Sequence, residues 1–338
     1  MFSIFNSQQE YYSCEWLEYG IHFSPFGLEP CCMYVPDANY GSMFVPLKSG
    51  EYNLSDFYKR KKKIIEQHKK GYINSNCIKC YNLKKNYWEK SSCIKHIVLD
   101  LNYKCNADCI YCFTHKNKYK YNKIVGVPVL DILKKMIKRG TIKPDCEIHI
   151  SGGEPTLNCE FEEIIKLFLK NNFNNIRIYS SGLEYSEIIS TALHHNACKL
   201  IISTDSGDRI LLKKIKNIDL YDKLWENIQK YCNSQGSDKT GVWLKYIIIP
   251  NINDNIDAIN NFLLKVKDAN GKFIVIEIER VWYNCNRKND MEMKRILKLV
   301  KYIQIKSQNI GFEHDLFPSC IYAIDDYHSL YDSLEIEI

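Results

Sequence analysis

From residue 94 onward, short runs rich in β-branched residues alternate with longer segments of helical period. The pattern predicts strands over residues 97–101, 147–151, 176–180, 200–204, 243–249 and 273–278, and helices over residues 129–138, 160–171, 185–194, 221–232, 256–269 and 291–305. Parallel neighbouring strands need crossovers of this length, and the strands are nearly continuously apolar, so we expect a parallel sheet covered by helices. A closed barrel has eight such units, so six units predict an α/β fold of an open, partial (β/α)6 TIM-type barrel.

The chain divides into three segments in this interpretation. Residues 1–93 are rich in Tyr, Pro and Cys and show no regular strand–helix alternation, which predicts a small Cys-rich N-terminal domain. Residues 94–285 form the barrel core. Residues 286–338 predict a C-terminal extension of helix and strand that packs on the barrel.

Cysteine is the unusual residue, with 15 among 338 residues. The count is odd, the chain is long enough to bury a core without disulfides, and no secretion signal is recognisable. We therefore expect a cytoplasmic, reducing environment with thiols that are buried or bind metal. No apolar run approaches the roughly 18 residues of a membrane helix, so no membrane partner is expected. A net charge of +6 with 25% charged residues excludes a disordered polyelectrolyte.

Three cysteines directly follow the first predicted strand. Cys105, Cys109 and Cys112 form a Cys-x3-Cys-x2-Cys arrangement. Thiolates this closely spaced in one loop can hold an iron–sulfur cluster. A structural zinc ion is the alternative, with His115 as a fourth ligand.

The second predicted strand ends in Gly152, Gly153 and Glu154. Glycines allow unusual backbone angles and the close approach of a ligand, and a carboxylate can receive an ammonium group. This motif follows the cysteines by one strand–helix unit. We therefore expect both motifs at adjacent strand ends, on the face where such barrels bind ligands.

Together, these motifs resemble the radical S-adenosylmethionine superfamily over residues 94–285, including the aromatic Tyr111 before the last cysteine. The resemblance implies that Cys105, Cys109 and Cys112 hold three irons of a [4Fe-4S] cluster, whose fourth iron is chelated by S-adenosyl-L-methionine. Reductive cleavage of that cofactor yields methionine and a 5′-deoxyadenosyl radical. The resemblance also places Tyr111 beside the adenine, and Gly152, Gly153 and Glu154 at the methionine ammonium group.

Later strand ends also look like this family. Ser181 follows the third predicted strand, and Ser203 and Asp205 follow the fourth. Their side chains suit contacts to the ribose and the methionine carboxylate. Ser and Asp at strand ends are also ordinary helix caps, which is the alternative.

A second cysteine set consists of Cys14, Cys32, Cys77 and Cys80. Its spacing resembles the auxiliary-cluster modules called SPASM and Twitch, although those usually follow the barrel and this set precedes it. The resemblance implies an auxiliary [4Fe-4S] cluster, with Cys31 and Cys93 as substitute ligands. A zinc ribbon with four cysteine ligands is the alternative, and the spacing does not separate the two.

The resemblance implies an enzyme that abstracts a hydrogen atom from its substrate and takes electrons from an external donor such as a flavodoxin or ferredoxin. The expected substrate is a peptide or protein, and a sugar or other small molecule is the alternative. Lys245 and the pair Glu279–Arg280 are expected to face the substrate unless they form a buried salt bridge. No side chain is predicted as a general base.

A zinc-stabilised module that binds RNA is the alternative from another class. It would explain the 24 tyrosines and the basic run over residues 59–63. It leaves the Gly-Gly-Glu motif unexplained, and a solvated helix face explains the basic run more simply. Nucleic acid is therefore not an expected partner.

Overall fold

The structure is a computed structural model that describes residues 9–31, 45–46, 52–78, 80, 82–89, 91, 93–112, 129–286 and 288–336. The chain divides into two compact units. The first combines Met1–Tyr103 with Asn122–Ile176, and the second combines Lys104–Tyr121 with Arg177–Ile338. This division differs from the predicted domains 1–93, 94–285 and 286–338.

The first unit is built on a mixed sheet. Its strands are β1 (Tyr11–Ser13), β2 (Gly20–Ser24), β3 (Gly27–Glu29), β4 (Val45–Pro46), β5 (Lys84–Asn86), β6 (Ile94–Asp100) and β7 (Ile142–Ser151). Its helices are α1 (Glu15–Tyr19), α2 (Leu54–Lys69), α3 (Ser75–Ile78), α4 (Leu130–Lys138) and α5 (Phe161–Lys170), with a 3-10 turn at Pro155–Leu157. The strand order within this unit is β4-β3-β2-β6-β7, and β1 pairs separately with β5.

The N-terminal segment contributes strands to the sheet of this unit. Strand β2 pairs in parallel with β6, and Ile21 lies opposite Ile97. Strands β3 and β4 then continue the sheet in antiparallel pairs. The pairing of β2 with β6 thus crosses residue 93, where the sequence analysis places a domain boundary.

The sheet of the first unit has one apolar and one polar face. The apolar face consists of side chains that are 0% exposed, namely Ile21, Phe23, Ile97, Leu99, Ile148 and Ile150. The opposite face carries His22, His96, Asp100, Glu147 and His149, which pair with one another. The expectation of nearly continuously apolar strands is therefore wrong for β6 and β7, whose second face is partly buried and carries paired polar side chains.

The second unit repeats parallel strands and helices. Its strands are β8 (Ile176–Ser180), β9 (Cys198–Ser203), β10 (Val242–Ile248), β11 (Phe273–Ile278) and β12 (Glu313–Leu316). Its helices are α6 (Glu187–His194), α7 (Arg209–Lys216), α8 (Tyr221–Ser234), α9 (Ile256–Asp268), α10 (Arg280–Asn286), α11 (Asp290–Ile310), α12 (Pro318–Asp326) and α13 (His328–Ser333). The strand order is β8-β9-β10-β11-β12, and β9 to β12 pair in parallel.

The six predicted strands and six predicted helices all overlap observed elements. Strands β8 and β11 have the predicted bounds. The short helices α7, α10, α12 and α13 had no predicted range, and β12 lies within the predicted C-terminal extension of helix and strand. The parallel strand–helix alternation is thus confirmed.

Helix α2 carries the basic run at residues 59–63. Lys59 and Lys62 are exposed and pair with Asp56 and Glu66, as on a solvated helix face. Lys61 instead is buried and donates to the Gly20 carbonyl oxygen over 2.7 Å. Among the residues described above, no helix is both long and apolar enough to cross a membrane.

Candidate active site

The predicted site residues lie in both units. The first unit holds Gly152, Gly153 and Glu154 together with the N-terminal cysteines. The second unit holds the cysteine loop, defined as residues 105–112, together with Ser181, Ser203 and Asp205.

The cysteine loop is attached to the C-terminal turn of α7 by backbone hydrogen bonds. The Asp108 amide donates to the Lys216 carbonyl oxygen, and the Ile110 amide donates to that of Ile215, both over 3.0 Å. A further bond of 3.0 Å, from the Cys112 amide to the Cys109 carbonyl oxygen, closes a turn inside the loop. The loop is therefore held by main-chain contacts that do not depend on its cysteine side chains.

Helix α7 ends where it can receive this loop. Its N-cap Asp208 accepts a hydrogen bond from the Leu211 amide over 2.8 Å. Its C-cap Asn217 has a φ of 54°, a left-handed conformation that asparagine tolerates. The Asn217 side-chain amide donates to the Asp108 carboxylate over 3.0 Å. The cap thus ends the helix and also binds the loop.

A buried triad of side chains lies beneath the cysteine loop. The Tyr111 hydroxyl donates to Asp205 Oδ2 over 2.5 Å. The Lys216 ammonium lies 2.5 Å from the same oxygen and 2.9 Å from the Tyr111 oxygen. Burial and the Asp205 charge together raise the pKa of Tyr111 well above its usual value. The tyrosine is therefore a hydrogen-bond donor here and not a phenolate.

Ser181 also contacts the loop, because its hydroxyl donates to Asn106 Oδ1 over 2.9 Å. Ser203 ends β9, opposite Lys245 of β10, and is partly exposed. Asp205 lies two residues further on and is completely buried. The structure therefore brings Tyr111, Ser181 and Asp205 to one loop, and their predicted contacts to the cofactor stay predictions.

In the first unit, Gly152 occupies a position that excludes any side chain. Its φ is +115°, and a Cβ atom there would lie 2.4 Å from the Asn102 carbonyl oxygen. The same oxygen accepts a hydrogen bond of 2.7 Å from the Gly153 amide. Asn102 in turn donates through its side chain to the Glu154 carbonyl oxygen over 3.1 Å. Sequence reasoning missed Asn102, for which no motif gives a signal.

Glu154 is 0% exposed. Its Oε1 accepts a hydrogen bond of 2.8 Å from the Thr156 hydroxyl and one of 3.3 Å from the Thr156 amide. The carboxylate is thus fixed in orientation before any ligand binds. Its predicted contact to an ammonium group stays a prediction.

Four N-terminal cysteines interact electrostatically. Burial raises the pKa of Cys77 to about 12, and the neighbouring thiols of Cys31, Cys14 and Cys80 add to this effect. Cys14 is buried, and Cys31 packs against it. Cys32, predicted as the fourth member of this set, lies outside the described residues.

Cys93, a predicted substitute ligand, is elsewhere in the first unit. Its thiol donates to the Gly140 carbonyl oxygen, with a sulfur–oxygen distance of 3.6 Å. His115, the predicted zinc ligand, is outside the described residues. Across the described ranges, no three His, Cys, Asp or Glu side chains are arranged to hold a single metal ion. A cubane cluster differs from such a site because each thiolate binds its own iron.

Two of the predicted substrate-facing groups pair with Glu277 in the second unit. The Lys245 ammonium donates to Glu277 over 2.8 Å, and Arg280 lies 3.3 Å from the other oxygen of that carboxylate. The Glu279 carboxylate accepts hydrogen bonds from the amides of Val281 and Trp282 and so caps α10. The alternative, a buried salt bridge among Lys245, Glu279 and Arg280, is therefore wrong in its partner: Lys245 forms a buried salt bridge, but with Glu277, which the sequence analysis missed.

Sequence reasoning also missed a histidine in the first unit. His22 is buried and lies 2.9 Å from Asp100 and 3.4 Å from Glu29. Burial lowers its pKa, but the two carboxylates outweigh this effect and raise the pKa well above the usual value. The Ser151 hydroxyl donates to the other Asp100 oxygen over 2.6 Å. The histidine stands alone in the sequence, so no spacing could reveal this group.

A sequence model of the Radical SAM superfamily matches residues 101–263. The chain is 25% identical over 185 residues to the molybdenum cofactor biosynthesis protein moc-5 of Caenorhabditis elegans, covering 53% of this chain and 29% of that protein. It is 38% identical over 82 residues to a cysteine-type anaerobic sulfatase-maturating enzyme of Clostridium perfringens, covering 23% of this chain and 22% of that enzyme. The chain thus spans less than a third of the length of these curated relatives.

Among solved structures, the chain is similar to SuiB of Streptococcus suis. The structure of SuiB bound to S-adenosylmethionine gives a TM-score of 0.55 at 11% identity, covering 85% of this chain and 60% of SuiB. SuiB bound to its precursor peptide SuiA gives a TM-score of 0.52 at 11% identity, covering 97% and 77%. At this identity the likeness shows the fold alone, and it confirms the predicted partial barrel class. Residues 101–263 therefore match the radical SAM superfamily, as the motifs predicted.

Proposed function

We propose that this protein uses S-adenosylmethionine and a [4Fe-4S] cluster to abstract a hydrogen atom from a peptide or protein substrate. A radical SAM domain implies both cofactors, and when bound they supply a 5′-deoxyadenosyl radical. The observation that carries the proposal is the cysteine loop, whose main chain is bound to α7 through the amides of Asp108 and Ile110 within the matched residues 101–263.

The donor set fits the cofactors. Cys105, Cys109 and Cys112 would hold the cluster, because thiolates are its usual ligands. Gly152 lets the backbone pack against the Asn102 carbonyl oxygen, and this packing fixes the segment that leads into Glu154. The Glu154 carboxylate, which the Thr156 hydroxyl and amide hold in orientation, would receive an ammonium group.

Cys14, Cys31, Cys77 and Cys80 would hold an auxiliary cluster. Their mutual interaction and burial support this proposal, and Cys31 replaces Cys32 in the predicted ligand set. Such a cluster could accept an electron from a substrate radical, or bind the substrate. We also propose an external flavodoxin or ferredoxin as the electron donor and the cytoplasm as the location, in line with the sequence analysis.

Two similarities support a peptide or protein substrate. SuiB binds a precursor peptide, and the sulfatase-maturating enzyme acts on a protein according to its name. The moc-5 relative favours a small molecule instead, and its match covers more of this chain. Deuterium transfer from a labelled substrate into 5′-deoxyadenosine distinguishes the two classes, since only a true substrate donates its hydrogen atom.

The proposed function is tested by anaerobic incubation of the iron-reconstituted protein with dithionite and S-adenosylmethionine. We expect 5′-deoxyadenosine by mass spectrometry, and we expect Cys109→Ala to abolish it while the N-terminal metal stays bound. Cys285→Ala, which changes an exposed cysteine outside both sets, is the matched control and should retain cleavage. Cleavage retained by Cys109→Ala would contradict the assignment of the cluster ligands.

A further inference from the structure

Lys216 is a buried cation in the last turn of α7. It is 3% exposed, and it continues the apolar stripe formed by Leu212 and Ile215. Lysine is almost never buried without a partner, because desolvation disfavours its charge. Here burial lowers the pKa of Lys216, but Asp205 outweighs this effect and raises the pKa above its usual value. Lys216 is therefore a permanent positive charge.

Its partner, Asp205, is held in place from several directions. The carboxylate is 0% exposed, and its Oδ1 accepts a hydrogen bond from the Ile247 amide over 3.2 Å. Its carbonyl oxygen accepts one from the Asn253 side chain over 2.9 Å, and its backbone has a φ of 59°. With Oδ2 bonded to Tyr111 and Lys216, both carboxylate oxygens are used within the protein. Asp205 thus fixes the ammonium of Lys216 at one point.

The cysteine loop is fixed to the same helical turn. Its main chain binds the carbonyl oxygens of Ile215 and Lys216, and Tyr111 binds the Lys216–Asp205 pair. The Lys216 ammonium lies 2.9 Å from the Tyr111 oxygen, and Tyr111 directly precedes Cys112 in the chain. A fixed and poorly solvated positive charge therefore lies against the cysteine loop.

We propose that Lys216 is a positioning residue whose fixed positive charge makes the cluster on Cys105, Cys109 and Cys112 easier to reduce. The inference rests on the proposed function, because it needs that cluster. Reduction transfers one electron from the external donor to the cluster and adds one negative charge beside the ammonium. A nearby cation in a poorly solvated environment stabilises the reduced form and raises the potential. Tyr111 and Asp205 hold the cation and are positioning residues as well.

The test is a redox titration of the reconstituted full-length protein, followed by electron paramagnetic resonance of the reduced cluster. At the potential where half of the wild-type cluster is reduced, the ratio of reduced to oxidised cluster in Lys216→Met should be at least tenfold lower. This corresponds to a midpoint potential that is lower by about 59 mV for one electron. Lys216→Arg keeps the charge and should stay near the wild type. Asp205→Asn removes the opposing charge and should shift the midpoint in the positive direction.

Midpoint potentials that shift in opposite directions in Lys216→Met and Asp205→Asn support the proposal, because general damage to the loop would shift both in the same direction. Unchanged midpoints, or shifts of the same sign, overturn it. If Lys216→Met is the only variant that takes up no iron, the midpoint of Asp205→Asn decides. A shift in the positive direction supports the proposal, and no shift or a negative shift overturns it. Loss of iron from all three variants also overturns it, since a residue that tunes the potential must be dispensable for binding. A wild type without any cluster would instead contradict the proposed function.

Discussion

A missing side chain determines the geometry at the end of β7. The Asn102 carbonyl oxygen occupies the volume that a Cβ atom of residue 152 would need, and it accepts the Gly153 amide. The glycine is thus required twice, for the close approach and for its φ of +115°. Glycine adds no side-chain contact at this position, but the Gly-Gly-Glu segment can adopt its conformation only with glycine there.

Gly152→Ala should lower the free energy of unfolding by about 2–4 kcal/mol, because strain at positive φ adds to a steric clash. Gly140→Ala is the matched control, since Gly140 has a φ of +66° and no heavy atom lies within 4 Å of the added Cβ. We expect about 1 kcal/mol there. Urea unfolding of both variants measures the difference. Equal losses would show that the contact with Asn102 is not the cause.

Residues with a characteristic neighbour pattern were predictable, and residues that act through distant contacts were not. Cys105, Cys109 and Cys112 share one short motif, so their spacing alone indicated a cluster. Asp205 was named as a strand-end residue, but its partner Lys216 stands among several lysines of α7. Only its place on the apolar stripe, four residues after Leu212, distinguishes it. That signal needs the helix to be recognised first.

At the scale of elements, the strands and helices of the regular alternation were predicted, and the strands of the N-terminal segment were missed. Strands β8 to β11 and helices α8, α9 and α11 carry strong patterns. Strands β2 and β3 have five and three residues, and their order in the sheet comes from pairing with a distant strand. No local propensity specifies such a pairing. The connections between elements are also held by single polar contacts, which a periodicity analysis does not register.

The connection between α8 and β10 is held by one such polar contact, between Lys199 and Asp238, which depends on pH. The Lys199 ammonium lies 2.5 Å from Asp238, whose other oxygen accepts bonds from Thr240, and these contacts lower the pKa of Asp238 to about 2. A carboxylate with a lowered pKa stabilises the fold above its usual pKa, and that contribution is lost as the pH falls toward 2.

Asp238→Asn should therefore cost less than about 1 kcal/mol at pH 7, since the pair is partly solvated and screened. The difference from the wild type should shrink as the pH falls from about 4 to 2. Urea unfolding midpoints at several pH values measure it. Asp325→Asn, which changes an exposed carboxylate of α12, should show no comparable trend. A difference that grows at low pH would contradict this account.

At the scale of the whole molecule, the two cysteine sets should load independently. We expect about eight irons per reconstituted chain, four for each cluster. The variant Cys77→Ala/Cys80→Ala and the variant lacking Cys105, Cys109 and Cys112 should each retain about four. Iron and sulfide analysis measures this. Zinc in place of iron at the N-terminal set would instead favour the structural alternative.

The fourth N-terminal ligand is decided by a matched pair of variants. Cys31→Ser should lose the auxiliary iron, because Cys31 packs against the buried cluster of Cys14, Leu17 and Ile64. Cys32→Ser is the comparison and should keep it. The opposite result would return the assignment to Cys32, as the spacing alone predicted.

Strand β2 has a further consequence for how the chain acquires its structure. Ile21 and Ile97 are partners across about 76 residues, so their pairing must wait for a long stretch of chain to be synthesised and carries a large loop-closure cost. Until then, one edge of β2 has unpaired amides and carbonyls, and such an edge attracts other strands and promotes aggregation. The matched domain begins at residue 101, after β6, so an excised fragment of that extent would lack the strands β2 and β6 altogether. In the folded chain, β6 covers this edge of β2.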